Sequence, residues 1–88
     1  MRRYRVIVHG RVQGVFFRDT TRRRAESRGV AGWARNLPDG TVEVVLEGEA
    51  DAVESLVRFC GEGPRGAHVE RVEVAPEPVE GLRGFEIR

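Results

Sequence analysis

Two short segments hold the residues whose types and spacing could carry chemistry. The first, Gly10–Arg18, reads GRVQGVFFR and passes from a predicted strand through a glycine-containing loop into a predicted helix. Glycines let backbone N–H groups converge, and a helix N-terminus adds a partial positive charge, so this segment could bind an anion. Arg18 lies at the start of the helix, where its planar guanidinium could bind two phosphate oxygens at once.

The position of Arg18 has two interpretations. A cation near a helix N-terminus costs a few tenths to about 1 kcal/mol, and an arriving anion would reverse that penalty. The alternative is an ordinary surface arginine, since all 15 basic residues of the chain are arginines. Two other phosphate-binding loops are excluded. The chain has no lysine for a Walker loop, and Gly10 and Gly14 do not form the GxGxxG of a dinucleotide-binding loop.

The second segment, Gly32–Gly40, reads GWARNLPDG and leads from a predicted strand into a hairpin turn. Asn36 has both a donor and an acceptor in its side chain, so it could orient a water molecule without carrying charge. The alternative is a turn-forming asparagine that bonds its own backbone. We assign Trp33 to packing in the core or at the sheet edge, not to a substrate platform.

The other reactive side chains favour structural roles. His9 and His68 are far apart in sequence and have no cysteine or carboxylate at metal-ligand spacing, so we predict no metal site. Cys60 falls on an apolar helical stripe and is interpreted as a small core residue. The run Arg22-Arg23-Arg24 is typical of a solvated helix face, with steering of an anionic substrate as the alternative.

Hydrophobic periodicity and turn signals predict the element order β-α-β-β-α-β with a short additional strand at the end. A helix is predicted over Phe16–Arg28, with Gly29 as its C-terminal stop. The turn signal Pro38-Asp39-Gly40 joins two strands into a hairpin. The predicted strands are Tyr4–His9, Val30–Ala34, Thr41–Glu47, one marked by Val69, Val72 and Val74, and a last one with Phe85 and Ile87 on one face.

The second helix is predicted from Asp51 and Glu54, whose three-residue spacing is that of a capping box. Its apolar stripe consists of Val53, Leu56, Val57 and Cys60. The segment Gly61–Gly66 is expected to end it, and Pro76–Gly84 is a connection before the last strand. This order predicts an α+β fold of the ferredoxin-like kind, with two helices on one face of an antiparallel sheet. The fold itself says little about function.

Composition excludes several classes of protein. The 88 residues suit one domain, and the balance of 40% apolar and 33% charged residues is that of a soluble globular protein. A net charge of +1 argues against a dedicated nucleic-acid or membrane-surface binder. One cysteine permits no internal disulfide, and the apolar run near the N-terminus is too short for a signal peptide, so we expect a cytoplasmic protein. Scarce Asn, Gln, Met and Cys are typical of heat-adapted proteins, with a GC-rich genome as the alternative cause of the arginine bias.

The two segments resemble those of a known family. Gly10–Arg18 is similar at every fixed position to the acylphosphatase signature GxVQGVxFR. Gly32-Trp33, Asn36 and Asp39-Gly40 resemble the family's second block. Gly63-Pro64 with Ala67 and Val69 resembles its third, and Gly84–Arg88 resembles its C-terminal strand. The resemblance covers nearly the whole chain in order. Ala34 stands where the family often has valine, and no aromatic residue follows Arg88.

The resemblance implies a ferredoxin-like fold and metal-free, cofactor-free hydrolysis of acyl phosphates. We separately expect the protein to be a monomer. It implies that Arg18 and Asn36 are the catalytic residues and that Asn36 positions the nucleophilic water. It also implies that the phosphate is bound by Arg18 and by the loop before it, which comprises Gln13, Gly14, Val15, Phe16 and Phe17. For the Gln13 side chain we predict a mainly structural role, bracing the loop by hydrogen bonds.

Two rival functions share the predicted fold. A non-catalytic domain could hold a phosphate or carboxylate without turnover, and its anion site would look the same. An RNA-binding domain of this element order would present aromatic residues on its central strands. Here the strands that begin at Tyr4 and Thr41 offer Val, Leu and Glu instead, so we expect no nucleic-acid partner.

Overall fold

The computed structural model describes residues 1–88 and contains five strands and two helices. In chain order these are β1 (Arg2–Arg11), α1 (Phe17–Ser27), β2 (Ala31–Asn36), β3 (Val42–Gly48), α2 (Ala50–Glu62), β4 (His68–Pro76) and β5 (Phe85–Ile87). The predicted β-α-β-β-α-β order with a short extra strand is therefore confirmed. No helix is long and apolar enough to cross a membrane.

The five strands form one sheet in the order β4-β1-β3-β2-β5. The pairs β4–β1, β1–β3 and β3–β2 are antiparallel, as the ferredoxin-like prediction requires. The last strand, β5, joins the β2 edge in parallel, which makes the whole sheet mixed. The antiparallel description therefore holds for four strands only. The connection from β4 therefore passes from one edge of the sheet to the other.

Both helices pack on one face of the sheet, where the apolar side chains of alternate strand positions meet them. On β1 and β3 these are Val6, Val8, Val44 and Leu46, all without exposed surface. Between the helices, the Phe17 ring of α1 lies 5.9 Å from the Phe59 ring of α2. The predicted stripe of α2 is confirmed at three positions and extended by two buried residues that the spacing had not singled out. The buried residues of α2 are Ala52, Val53, Leu56, Phe59 and Cys60, and Val57 is partly buried against the core.

The opposite face of the sheet is covered by side chains that form ion pairs. Glu43 on β3 is only 3% exposed and binds Arg5 on β1 and Arg35 on β2, the latter at 2.6 Å. Burial opposes ionisation of Glu43, but these two guanidiniums hold the pKa of its carboxyl below the ordinary value. The guanidiniums of Arg35 and Arg88 lie over the ring of Trp33 on β2, at 5.1 and 4.6 Å from the ring centre. Because the arginine side chains cover this face, β3 is buried along its whole length and not only on alternate residues.

A second buried carboxylate anchors the connection to β5. Glu47 has no exposed surface and accepts hydrogen bonds from the backbone N–H groups of Glu80, Gly81 and Leu82, at 2.7 to 2.9 Å. Arg3 also binds it, at 3.4 Å. Because β5 begins three residues after this contact, Glu47 fixes the point from which the last strand enters the sheet.

The structure differs from the predicted boundaries in several places, and β2 in particular runs over Ala31–Asn36 where Val30–Ala34 was predicted. Strand β1 continues through Gly10 and Arg11, where the pairing with β4 shifts register at a bulge. A side chain at Gly10 would meet the His68 carbonyl oxygen at 2.1 Å, so this close approach requires glycine. The predicted capping box is wrong: α2 has Glu49 as its N-cap, with no side-chain cap, and Asp51 lies in the first turn. The same helix runs through Gly61 to Glu62 before Gly63 ends it.

Candidate active site

The first predicted segment folds as a loop that ends in an uncapped helix. Phe16 is the N-cap of α1, yet it contributes no side-chain hydrogen bond to the helix terminus. The first bond of the helix is donated by Thr20 to the Phe16 carbonyl, at 3.0 Å. The N–H groups of residues 17 to 19 therefore have no helical acceptor, as at every helix start, and no side chain satisfies them. They are available to an anion.

Phe16 adopts a backbone conformation that is unusual for a residue with a side chain. Its φ of 60° and ψ of 27° lie in the left-handed region, and it is the only non-glycine residue of the chain with a positive φ. Such strain costs on the order of 1–3 kcal/mol and tends to occur at ligand-binding sites. Phe16 is 79% exposed as a residue, so burial of its side chain does not offset that strain.

Arg18 is the second residue of α1, as predicted. One guanidinium nitrogen lies 3.4 Å from the main-chain oxygen of Arg88, which follows β5. No carboxylate forms an ion pair with Arg18, whereas its neighbour Asp19 binds Arg22 and Arg23 at 2.8 and 2.6 Å. Arg18 therefore has no side-chain counter-ion at the start of the helix.

Asn36 is the last residue of β2 and lies opposite Val42 of β3. Its Oδ1 atom is buried and has no hydrogen-bond partner. A buried acceptor without a partner costs about 1–3 kcal/mol, so such an atom calls for a ligand or a water molecule. The predicted alternative, an asparagine satisfied within its own turn, does not account for this free Oδ1.

A single cavity of about 240 Å³ brings Arg18 and Asn36 together. The two residues are 18 positions apart in sequence, and the fold brings them to the same cavity. The cavity is lined by Val12, Gly14, Phe16, Phe17, Arg18, Asp19, Asn36 and Ile87. Of the predicted phosphate-binding set, Gly14, Phe16, Phe17 and Arg18 line it, whereas Gln13 and Val15 do not.

The Gln13 side chain points to the hairpin turn between β2 and β3. Its Nε2 atom donates to the carbonyl oxygens of Leu37 and Thr41, each at 2.9 Å. The turn itself is held by Asp39, which accepts from the N–H and hydroxyl of Thr41 at 3.0 and 2.6 Å. The hydrogen bond from the Thr41 hydroxyl is the main reason that the pKa of the Asp39 carboxyl lies below its ordinary value, and the bond from the Thr41 N–H adds to it. Gln13 thus joins the loop before Arg18 to the turn after Asn36, in agreement with the bracing role predicted for it.

Sequence reasoning missed three of the residues that line the cavity: Val12, Asp19 and Ile87. Asp19 directly follows Arg18, and its spacing to Arg22 and Arg23 is the signal that predicts its helical ion pairs. Ile87 reaches the site only because β5 pairs in parallel with β2, and no local pattern predicts that pairing. Gly63, which belongs to the third block of the family resemblance, leaves room for the Phe17 ring that lines the cavity. A Cβ at Gly63 would lie 3.2 Å from that ring.

The side chains excluded from chemistry on sequence grounds lie outside the cavity. His9 pairs with Glu73 across β1 and β4, and no group of three or more His, Cys, Asp or Glu side chains could hold a metal ion. Cys60 is fully buried, as predicted, and burial raises the pKa of its thiol to about 12. A thiol in that state is not a nucleophile near neutral pH.

Comparison with known proteins decides the family. The acylphosphatase family model matches residues 4–87, which include both segments of the site. The chain belongs to the acylphosphatase family. This family comprises hydrolases of acid anhydrides. The predicted family is thereby confirmed over nearly the whole chain.

Relatives from distant organisms agree with this assignment. An acylphosphatase of Rubrobacter xylanophilus is 67% identical over 88 residues, covering 99% of this chain and 80% of the relative. An acylphosphatase of Haloarcula marismortui is 56% identical over 86 residues, covering 98% and 94% of the two chains. The crystal structure of acylphosphatase from Bacillus subtilis superposes with a TM-score of 0.95 at 39% identity, covering 100% of this chain and 99% of that one. The ferredoxin-like fold of the family is therefore confirmed as well.

Proposed function

We propose that this protein hydrolyses acyl phosphates to a carboxylate and inorganic phosphate. The observation that carries the proposal is the free, buried Oδ1 of Asn36, which lines the same cavity as Arg18. One side of that cavity offers a guanidinium and uncapped helix N–H groups, which bind phosphate oxygens. The other side offers an acceptor for a water hydrogen. A site that only bound anions would have no use for that acceptor.

Arg18 and the N–H groups at the start of α1 hold the phosphoryl group in this mechanism. Phosphoryl transfer depends mainly on positioning and on stabilising charge over the three equatorial oxygens. Fixed donors aimed at those oxygens strengthen their bonds as charge develops in the transition state. The two hydrogen bonds from Gln13 to the hairpin turn hold the loop before Arg18 at a fixed distance from Asn36.

Asn36 accepts a hydrogen bond from the attacking water and turns its oxygen towards phosphorus. The new O–P bond forms while the bond between phosphorus and the acyl oxygen breaks, and the electron pair leaves with the carboxylate. A carboxylate is a good leaving group, so no general acid is needed. The water proton goes to a phosphate oxygen, giving RCOO⁻ and H₂PO₄⁻ from the substrate dianion. The pH dependence of kcat should then follow the ionisation of the substrate and not of a protein group.

The only carboxylate that lines the cavity is Asp19. Both of its oxygens bind arginines of the same helix, Arg22 and Arg23. These two hydrogen bonds occupy lone pairs that a general base would need. We therefore assign Asp19 no step in the reaction.

Steady-state hydrolysis of benzoyl phosphate, measured with a chelator present, tests the proposal. We expect rapid turnover by the unmodified protein and a loss of about 100-fold or more in kcat/KM for Arg18→Ala, typical of removing a main charge-stabilising donor. The matched control is Arg11→Ala, in the same loop motif but exposed and outside the cavity. Circular dichroism establishes that each variant is folded. Phosphate binding without turnover by the unmodified protein would make the chain an anion-binding domain and overturn the proposal.

A further inference from the structure

Asp19 places a negative charge in the cavity that also holds Arg18 and Asn36. It is the only carboxylate in the lining of that cavity, and it directly follows Arg18 in the first turn of α1. Its side chain is 26% exposed. A carboxylate beside an anion site opposes phosphate binding, because like charges repel across the short distances within one cavity. Since Asp19 carries no step of the proposed reaction, this repulsion calls for another explanation.

Helix stability explains Asp19 only in part. An acidic residue in the first turn of a helix interacts favourably with the helix dipole. However, α1 has no side-chain cap, and both Asp19 oxygens bind arginines instead of the N–H groups at the start of the helix. Asp19 therefore leaves those N–H groups available to a phosphate while it keeps a negative charge next to them.

Asp19 also determines where two further arginines are held. Its Oδ1 accepts a hydrogen bond from Arg22 at 2.8 Å, and its Oδ2 accepts one from Arg23 at 2.6 Å. Arg22 lies four residues after Arg18, so the two side chains share one face of α1. The Nε atom of Arg22 is buried without a hydrogen-bond partner, and Asp19 is the one carboxylate that Arg22 contacts. Because Asp19 holds both guanidiniums, Arg18 is the only arginine that lines the cavity.

We propose that Asp19 limits the affinity of the site for phosphate and so speeds the release of the inorganic phosphate product. This inference rests on the proposed function, since it concerns the product of the same reaction. Inorganic phosphate offers Arg18 and the helix N–H groups the same kind of oxygens as the phosphoryl group of the substrate. Contacts that hold substrate and product equally tightly lower KM without raising kcat, and release of product can limit turnover. With Arg22 and Arg23 unpaired beside Arg18, the site would be inhibited by its own product.

The dissociation constant of inorganic phosphate, measured by calorimetry at low ionic strength, tests this role. Asp19→Asn keeps the size of the side chain, removes its charge and frees Arg22 and Arg23 from their ion pairs. We expect the dissociation constant to fall roughly three- to tenfold, as the loss of a repulsive charge and the gain of partly exposed cations would give. The inhibition constant of phosphate against benzoyl phosphate hydrolysis should fall by the same factor. Added salt should weaken both effects.

The direction of the change separates this role from a structural one, because damage to the loop or to α1 would raise the dissociation constant. Glu26→Gln is the matched control, since it removes the same charge from an exposed position of α1 outside the cavity. Asp19→Glu keeps the charge within the cavity. Both controls should leave the dissociation constant nearly unchanged.

An unchanged or higher dissociation constant in Asp19→Asn, or an equal fall in either control, would overturn the inference and leave the proposed function intact. Calorimetry needs no turnover, so a failure of the proposed function is a separate result. If the unmodified protein does not hydrolyse benzoyl phosphate, the proposed function and the role of Asp19 in product release are both overturned.

Discussion

Asn36 and Gln13, the two primary-amide side chains of the chain, have opposite hydrogen-bonding states. Gln13 donates to two carbonyl oxygens, whereas Oδ1 of Asn36 is buried without a partner. Both residues could be singled out from the sequence, because a chain with one asparagine and one glutamine keeps each within a recognisable segment. The sequence could not show their different hydrogen-bonding states, because these depend on which side of the hairpin turn each amide contacts. The structure thus separates a bracing amide from one that is free for a water molecule.

The bracing role of Gln13 gives a prediction at this scale. Gln13→Ala leaves the carbonyls of Leu37 and Thr41 without their donor, which should lower the free energy of unfolding by about 1–2 kcal/mol. The kcat of the folded enzyme should fall less than about fivefold, or under about 1 kcal/mol. Denaturant unfolding and benzoyl phosphate turnover provide the two numbers. A loss in kcat that exceeds the loss in stability, both expressed as free energies, would place Gln13 in the chemistry instead.

At the scale of elements, the site lies where three segments meet: the loop from β1 to α1, the end of β2, and β5. The first two could be predicted because a strand, a glycine loop and a hairpin turn are local patterns. The contribution of β5 could not, because it depends on a parallel pairing with β2 that follows the crossing of the connection from β4. The capping box also failed for a physical reason. Asp51 lies inside the first turn, where a carboxylate favours the helix dipole without acting as a cap.

The role of Glu47 in anchoring the connection from β4 to β5 can be tested by substitution. Glu47→Gln keeps the side-chain shape but removes the charge that three backbone N–H groups and Arg3 stabilise, so it should cost about 2 kcal/mol of stability at pH 7. Burial raises the pKa of the Glu47 carboxyl, but those hydrogen bonds outweigh it and hold the pKa below the ordinary value. Its stabilising effect is therefore complete above the carboxyl's unfolded pKa and is lost as pH falls through the lower, folded one.

The difference in unfolding free energy between the unmodified protein and Glu47→Gln should accordingly shrink at acid pH. Urea unfolding across a pH series measures it. Glu80→Gln serves as the control, because Glu80 also contacts Arg3, at 3.5 Å, but its side chain is 61% exposed. An exposed ion pair contributes little, so this control should change stability by less than about 1 kcal/mol. A pH-independent loss in Glu47→Gln would contradict the charge-based account of the anchor.

At the scale of the whole molecule, the arrangement of charge matters more than its sum. Composition gives a net charge of +1, which predicts no strong attraction to polyanions. The structure places paired charges on the open face of the sheet and leaves Arg18, which lines the cavity with Asn36, without a side-chain ion pair. No sum over the sequence could show this separation, because it arises from which strands and helices the fold brings together. That the protein is a cytoplasmic monomer without a nucleic-acid partner stays a prediction.

The central claim is that Arg18 binds the phosphoryl group whereas Asn36 positions the attacking water molecule. The most direct test is Asn36→Ala, in which kcat and the inhibition constant of inorganic phosphate are measured on the same folded preparation. Our account predicts that kcat falls by about 100-fold or more, while the inhibition constant changes less than about twofold. A parallel rise in the inhibition constant would make Asn36 a phosphate ligand, and an unchanged kcat would remove it from the reaction; either result would contradict the account.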